Sequence, residues 1–236
     1  PSGETEEELA VSEETLTKGK ALLSSAVAYA GGMDNINKVN TISQKGTFIL
    51  STPQGEIPLQ FESLWSAPNK SKDVMTMMGQ KMYSVRDGVT GWKTGMAGIQ
   101  QMTEDELLDE QKQDKRKTIL ILQNADSDQM KAVFAGTGTV NGTDVSYVKI
   151  LDNADEAICK LGIADDGAIV CKEYWGQTPI GEGNIQEVIM ETAEFSGVKF
   201  SVNSVQNLNG NKFGETKTDA IVVNGEVAAD AFAKPE

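Results

Sequence analysis

The chemistry open to this chain rests on carboxylates, amines, hydroxyls and two thiols, because its 236 residues include no His. Zinc hydrolases of the H-E-x-x-H type, Ser-His-Asp hydrolases and Cys-His peptidases all need an imidazole as a metal ligand or as a base. The sequence therefore excludes these three classes for the chain acting alone.

Acidic residues dominate the charge: 35 Asp and Glu against 21 Lys and Arg give a formal net charge of −14. A surface this acidic repels nucleic acids and anionic lipid head groups. The cluster of Asp152, Asp155 and Glu156 lacks the spacing of a calcium loop, and no motif selects two carboxylates for glycoside hydrolysis. We therefore predict a protein that is not an enzyme, holds no metal or cofactor, and binds neutral, apolar or cationic partners.

The two thiols, Cys159 and Cys171, flank the turn residues Asp166 and Gly167 in a segment that is typical of strand, turn and strand. A disulfide between them would stabilise the fold by ~3 kcal/mol, provided that the two Cβ atoms lie within ~4.5 Å. A two-residue turn would place Gly162 opposite Cys171, whereas a longer loop would bring the sulfur atoms closer. The sequence leaves both a disulfide and two half-buried free thiols open.

Apolar side chains that are able to line a binding site concentrate in one part of the chain. Met75 and Met77 share a face of one predicted strand while Met78 points the other way, and flexible thioethers suit surfaces that accept variable apolar shapes. A methionine stripe is more often part of an ordinary core. The residues predicted to line a ligand cavity are Ile57, Leu59, Phe61, Trp65, Met75, Met77, Met82 and Trp92.

The elements that position these side chains begin after a short acidic leader. Residues 1 to 11 carry four Glu and almost nothing apolar, which is typical of a disordered leader or the end of a linker. Residues 12 to 236 suit a single domain. Its first element is a helix that Ser12 caps and that Gly31 and Gly32 end. No stretch approaches the ~20 apolar residues of a membrane-spanning helix.

From Thr41 onward the hydrophobic period changes from 3.6 to 2, which predicts half-buried antiparallel strands. Leu59 and Phe61, for example, share one face of a strand while Gln60 takes the other. Asn-Gly, Asp-Gly and Ser-Gly turns separate about ten such strands in meander order. The sequence therefore predicts a mainly β protein of α+β type.

One helix interrupts the strands. Thr103 and Glu106 form a capping-box pattern, and the segment to Gln123 contains neither Gly nor Pro. Its centre is nearly all charged, so we predict that this helix lies across the mouth of the sheet with its middle in water. It is either a lid or an ordinary surface helix, and the apolar residues of the predicted lid are Leu107, Leu108, Ile119 and Leu122.

Six short fragments, spread from about residue 16 to residue 235, carry a likeness to a known family. They are Ala28-Tyr29-Ala30-Gly31-Gly32 with Asp34, Lys45-Gly46-Thr47, Ala67-Pro68-Asn69-Lys70, Asp87-Gly88-Val89-Thr90-Gly91-Trp92, Gly197-Val198-Lys199-Phe200 and Phe232-Ala233-Lys234-Pro235. In this order they resemble LolA/LolB-like periplasmic lipoprotein carriers, and most closely the copies fused to insulinase-like zinc peptidases. Two departures are the extra residue Ala30 and Ser201, where the family usually has Pro.

This resemblance implies an incomplete, strongly curved antiparallel barrel with two helices on its concave side and an apolar cavity between them. It implies a monomeric, non-catalytic binder of lipid or lipoprotein acyl chains that works in the bacterial cell envelope, in the periplasm or elsewhere outside the cytoplasm. The alternative is a C-terminal accessory domain of an insulinase-like peptidase, whose partner would be an upstream peptidase domain.

Overall fold

The computed structural model describes residues 11–235. Within them, 13 antiparallel strands form one curved, unclosed sheet with four helices. The strands are β1 (Thr41–Thr52), β2 (Gly55–Ser66), β3 (Lys70–Met77), β4 (Gln80–Asp87), β5 (Thr90–Gly95), β6 (Gly98–Gln101), β7 (Met130–Val140), β8 (Thr143–Asp152), β9 (Ala157–Ile163), β10 (Ile169–Thr178), β11 (Gly181–Phe195), β12 (Val198–Leu208) and β13 (Asn211–Val223). The predicted fold class is confirmed. Apart from Val11, the predicted acidic leader lies outside the described residues.

The ten strands predicted from alternation correspond to β2 to β4 and β7 to β13, so the sheet has three more: β5, β6 and β1, where the resemblance places the family's first strand at Lys45-Gly46-Thr47. Strands β5 and β6 are six and four residues long and contain Gly91, Gly95 and Gly98, so they show no alternation of apolar residues. In β1 two of the inward positions hold the polar Gln44 and Gly46, which has no side chain. The alternation of apolar and polar residues is therefore not visible in this strand either.

The order of strands in the sheet is β6-β5-β4-β3-β2-β1-β13-β12-β11-β10-β9-β8-β7. It consists of a first meander, β1 to β6, and a second meander, β7 to β13, which join where β1 pairs with β13. Between β6 and β7 the chain has to travel from one edge of the sheet to the other. Two of the helices make this connection.

The helices are α1 (Glu13–Tyr29), α2 (Met33–Ile36), α3 (Glu104–Lys115) and α4 (Thr118–Gln123). Ser12 caps α1 through a capping box with Thr15, and Gly31 and Gly32 after its end have φ angles of 124° and 82°. The predicted bounds of this helix are confirmed, as is the capping box of Thr103 and Glu106. The second predicted helix is in fact two, because Lys117 adopts an extended conformation between α3 and α4.

The main core lies between the helices and one face of the sheet, which we call the inner face. Its members come from α1, α2 and α4, from the first meander and from the second meander. They include Leu23, Val27, Ile36, Ile121, Leu122, Ile42, Trp65, Val148, Ile150, Leu161 and Ile163. Since strands of both meanders contact the same helices, the sheet curves around them and the inner face is its concave side.

The two cysteines are free thiols that lie on opposite faces of the sheet. Cys159 belongs to the inner-face core, whereas Cys171 packs with Val145 and Val188 on the other face. Cys171 lies opposite Gly162, which is the register that a two-residue turn requires. The disulfide alternative is therefore wrong, because the sheet itself separates the two sulfur atoms. Burial raises the pKa of Cys159 to about 11 and that of Cys171 to about 12.

Candidate functional site

A cavity of about 270 Å³ lies on the inner face, beside the first residues of α4. Its position follows from three rows of inward side chains that cross β2, β3 and β4. The rows are Phe61, Met75 and Met82; Ser63, Asp73 and Ser84; and Trp65, Ser71 and Arg86. Because the middle row has short side chains between rows of mostly longer ones, it leaves a space that the wall of the sheet does not fill.

Four charged side chains line this cavity together with its apolar and hydroxyl groups: Asp73, Lys117, Lys172 and Glu187. Lys172 and Glu187 face each other across β10 and β11, with the ammonium nitrogen 2.9 Å from the carboxylate oxygen. The Lys172 charge lowers the pKa of Glu187. Burial alone would lower the pKa of Lys172, but the Glu187 carboxylate outweighs it and the pKa is raised. This pair is therefore a closed ion pair in the cavity wall.

Asp73 is different, because its side chain makes no direct hydrogen bond or ion pair with any other residue in the range 11–235. Asp73 is an exposed residue, and its side chain lies where the cavity meets an open groove. Burial raises the pKa of Asp73 to about 6, the Lys117 ammonium opposes this shift, and the Glu110 carboxylate adds to it. Asp73 thus presents an unpaired carboxyl group to the cavity.

Lys117, the cation that acts on the Asp73 carboxylate, already has an anionic partner. Lys117 Nζ lies 2.6 Å from one carboxylate oxygen of Asp114, whose other oxygen pairs with Arg86. Arg86 and Asp114 are buried, with exposed fractions of 1% and 8%. Burial lowers the pKa of both Lys117 and Arg86. The three groups form a buried ionic cluster at the junction of α3 and α4.

Helix α3 is fastened to the first meander by polar contacts along its length. Glu106 pairs with Lys93 of β5, Ser84 of β4 donates a hydrogen bond of 2.8 Å to Glu110, and Asp114 pairs with Arg86. The prediction that the charged middle of this helix lies in water is therefore wrong at Asp114. That carboxylate is buried because Arg86 projects inward from β4 and needs a counterion.

The end of α3 is fastened to the second meander. Lys115 Nζ lies 2.9 Å from the Asp152 carboxylate at the end of β8. Arg116 donates hydrogen bonds to the carbonyl oxygens of Ile158 and Trp175, at 3.3 and 3.1 Å. Helix α3 therefore spans the opening between the two meanders and holds both of them.

Two further spaces adjoin the cavity. An open groove of about 470 Å³ runs along Phe48, Phe61, Met75 and Met82, and it shares Asp73 with the cavity wall. A side pocket of about 80 Å³ lies between α1, α4 and the strands β11 and β12. The groove and the side pocket are lined mainly by apolar side chains. The site as a whole is therefore an apolar channel with a polar centre.

The predicted cavity residues fall into three groups. Phe61 and Trp65 line the cavity, and Met75 and Met82 line the groove. Ile57, Leu59 and Met77 pack with Leu50, Ile185 and Phe213 in a second inner-face cluster. Trp92 is an exception, because it pairs with Val85 on the face opposite to the cavity.

The predicted lid residues also divide. Ile119 lines both the cavity and the side pocket, and Leu122 lines the side pocket. Leu107 packs against Gly91, so closely that a Cβ atom on the glycine would contact its side chain. Leu108 faces away from the site and is 53% exposed.

The sequence analysis did not single out Asp73, Lys117, Lys172 or Glu187. A signal was present at Asp73, which occupies the same strand face as Met75 and Met77 and so is inward by alternation. Lys172 and Glu187 required the register of the hairpin formed by β10 and β11. Within the described part of the chain, no group of three or more acidic or thiol side chains is arranged to hold a metal ion. None of the helices in residues 11–235 is long and apolar enough to cross a membrane.

No protein-family model and no curated protein matches this sequence. Solved structures do match its fold. A LolA superfamily protein from Nitrosomonas europaea superposes with a TM-score of 0.58, covering 92% of this chain and 97% of the other at 7% identity. A DUF1329 family protein from Desulfovibrio piger gives the same TM-score and coverage at 9% identity. The fold is therefore the one that LolA superfamily proteins adopt, as the sequence resemblance predicted.

Proposed function

We propose that this protein binds an apolar ligand, a lipid or the acyl chains of a lipoprotein, without catalysing a reaction. The binding site is the inner side of the half-barrel. The observation that supports this proposal is the open groove of Phe48, Phe61, Met75 and Met82, which leads into a cavity beneath the helices. The groove volume of about 470 Å³ lies within the ~300 to 1,000 Å³ of small-molecule sites, and the cavity volume of about 270 Å³ lies just below that range.

The affinity would come from the hydrophobic effect. Burying one CH₂ group contributes ~0.8 kcal/mol, so a chain of about 12 carbons binds usefully even when only part of it leaves water. Methionines at the groove suit such a ligand, because a thioether side chain adjusts to chains of different shape. The fold shared with LolA superfamily proteins agrees with this role by analogy. By the same analogy we propose that the protein works in the cell envelope, outside the cytoplasm.

The test is to extract the purified protein with organic solvent and search for bound lipid by mass spectrometry, and then to titrate the delipidated protein with amphiphiles that carry one dodecyl chain. We expect a co-purifying lipid and saturable binding at micromolar concentration. Finding no lipid and no saturable binding for any head group would refute the proposal.

The alternative role, an accessory domain of an insulinase-like peptidase, stays a prediction. Reading the coding sequence upstream of Pro1 tests it, because an H-x-x-E-H segment there would identify a peptidase domain.

A further inference from the structure

We propose that the ligand of this site is an amphiphile with a primary ammonium group, which Asp73 binds, and an apolar chain, which lies along the groove of Phe48, Phe61, Met75 and Met82. This inference rests on the proposed function and adds the chemistry of the ligand's polar end.

The first argument is the position of Asp73. This residue belongs to the wall of the cavity and to the wall of the groove at the same time. A polar group bound at Asp73 would therefore leave its chain free to follow Met75 and Met82 toward the open side. No other charged residue that lines the cavity also lines the inward part of the groove.

The second argument is the balance of charge around the cavity. Every cation there already has an anion in contact: Arg86 with Asp114, Lys117 with Asp114, and Lys172 with Glu187. Asp73 alone among the charged cavity residues has no counterion in contact within the described chain. When Glu110 of α3 is counted, four carboxylates face three cations here, so a cationic head group would balance the charge.

The third argument concerns the alternatives. A carboxylate or phosphate head would sit beside Asp73 and Glu187, and like charges that lie next to each other repel. A primary ammonium group instead carries three hydrogen-bond donors. Asp73 can accept one of them, and the hydroxyl groups of Ser63 and Ser84, which flank Asp73 in the same row, can accept the others.

Proton binding at Asp73 gives this site a pH dependence. The charged groups that face it are Lys117 at the start of α4 and Glu110 of α3, and Lys172 and Glu187 line the far side of the cavity. The carboxyl group loses its proton only near pH 6, since burial raises its pKa to about 6. Preference for the ammonium group should therefore strengthen as the pH rises from about 5 to about 7.5.

The experiment compares dodecylammonium and dodecanoate, each below its micellar concentration, with dodecanol below its solubility limit. Binding is measured by calorimetric titration at about pH 7.5 and about 0.15 M salt, which screens the acidic surface. We expect dodecylammonium to bind about tenfold more tightly than dodecanoate, with dodecanol between them. Equal affinities, or tighter binding of dodecanoate, would overturn the inference.

Asp73→Asn is the diagnostic variant, and Asp219→Asn is its matched control. Asp219 is an exposed carboxylate of β13 that lines neither the cavity nor the groove. We expect Asp73→Asn to abolish the ammonium preference and Asp219→Asn to keep it. A preference that survives in Asp73→Asn would show that the general acidity of the surface causes it, and the inference would fall.

The outcomes separate this inference from the proposed function. If none of the three amphiphiles binds, the proposed function fails; if all three bind alike, that function stands and the ammonium site does not exist. A fourth ligand, a lysophosphatidylethanolamine with one lauroyl chain, identifies the source. Its tight binding alongside dodecylammonium indicates an ethanolamine phospholipid, and binding of dodecylammonium alone indicates an amine without phosphate; both support the ammonium site.

Discussion

Asp73 is a residue whose charge opposes folding. Burial raises its pKa from 3.8 to about 6, so the folded state holds this proton more tightly than the unfolded state does. The contribution of Asp73 to stability therefore becomes less favourable as the pH rises from about 4 through about 6. We expect Asp73→Asn to raise the free energy of unfolding at about pH 7.5 by on the order of 1 kcal/mol, less than the full shift implies because water in the cavity screens the charge.

Urea denaturation at about pH 4 and about pH 7.5 measures this effect. The advantage of Asp73→Asn should be present at the higher pH and absent at the lower one. An equal gain at both pH values would mean that the carboxylate is not destabilised by its position. A site that lowers stability in this way is typical of groups retained for binding.

Substitution of two exposed methionines distinguishes the contribution of the groove to binding from a general effect of surface hydrophobicity. Met82 lines the groove and is 40% exposed, whereas Met78 lies in the turn after β3 and is 92% exposed. Because Gln keeps the length of Met but is polar, we expect Met82→Gln to weaken every dodecyl amphiphile by about three- to tenfold, whatever its head group. Met78→Gln should leave the affinities unchanged. Equal effects of the two substitutions in titration would place the chain elsewhere.

At the scale of elements, the attachment of α3 depends on a buried ion pair. Asp114→Ala would leave Arg86, which is 1% exposed, without its counterion. Removing one partner of a buried pair costs about 3–5 kcal/mol, whereas replacing both by apolar residues is often neutral. We therefore expect urea denaturation to show a large loss for Asp114→Ala and a much smaller one for the double variant Arg86→Met/Asp114→Leu. A small loss for Asp114→Ala would mean that Arg86 finds another partner.

The packing of α1 on β7 reverses the usual effect of a glycine substitution. In most helices Gly→Ala stabilises by about 1 kcal/mol. At Gly19, however, a Cβ atom would overlap the carbonyl oxygen of Ala132. We expect Gly19→Ala to destabilise the protein by about 1–3 kcal/mol in thermal or urea unfolding. Ser24→Ala, on the exposed side of the same helix, should be neutral or slightly stabilising, and a stabilised Gly19→Ala would contradict this packing.

The helix ends show which parts of the fold a sequence reveals. Ser12 and Thr103 cap their helices through hydrogen bonds to residues three positions away, so the signal lies within a few letters of sequence. The break at Lys117 has no such local cause. It occurs where Asp114 turns toward Arg86 of the distant strand β4, while Lys117, which pairs with Asp114, turns toward the cavity.

The candidate site divides in the same way. Alternation along single strands was sufficient to predict Phe61, Trp65, Met75 and Met82 as inward residues. The pairing of Lys172 with Glu187 was not predictable, because it depends on the register between two strands and on which face of the second meander is concave. The alternation of apolar residues along one strand identifies residues that line the site. The polar residues of that lining can be identified only when the pairing between strands is known.

At the scale of the whole molecule, the two meanders should unfold together. They pair along β1 and β13, and the side chain of Asn224 accepts hydrogen bonds from the backbone of Asn40 and Thr41 at 2.8 and 3.2 Å at this seam. Both meanders also pack on the same helices. Because of these shared contacts, neither meander can unfold on its own at a low free energy.

Trp92 and Trp175 report on the first and the second meander respectively. We expect fluorine NMR of fluorotryptophan-labelled protein to give one urea midpoint for both residues, after assignment by Trp→Phe variants. Asn224→Ala should lower both midpoints by the same amount. Separate midpoints would show that the meanders are independent folding units.

The two borders of the sheet have a consequence for how copies of this protein meet. At one border, α1 lies against the backbone of β7 around Ala132 and Phe134. At the other border, β6 is only four residues long. Neither border therefore offers another polypeptide a long row of unpaired backbone N–H and C=O groups. Pairing along such rows is the route by which open sheets polymerise. The described sheet therefore exposes little strand edge on which copies of this chain could assemble into fibres.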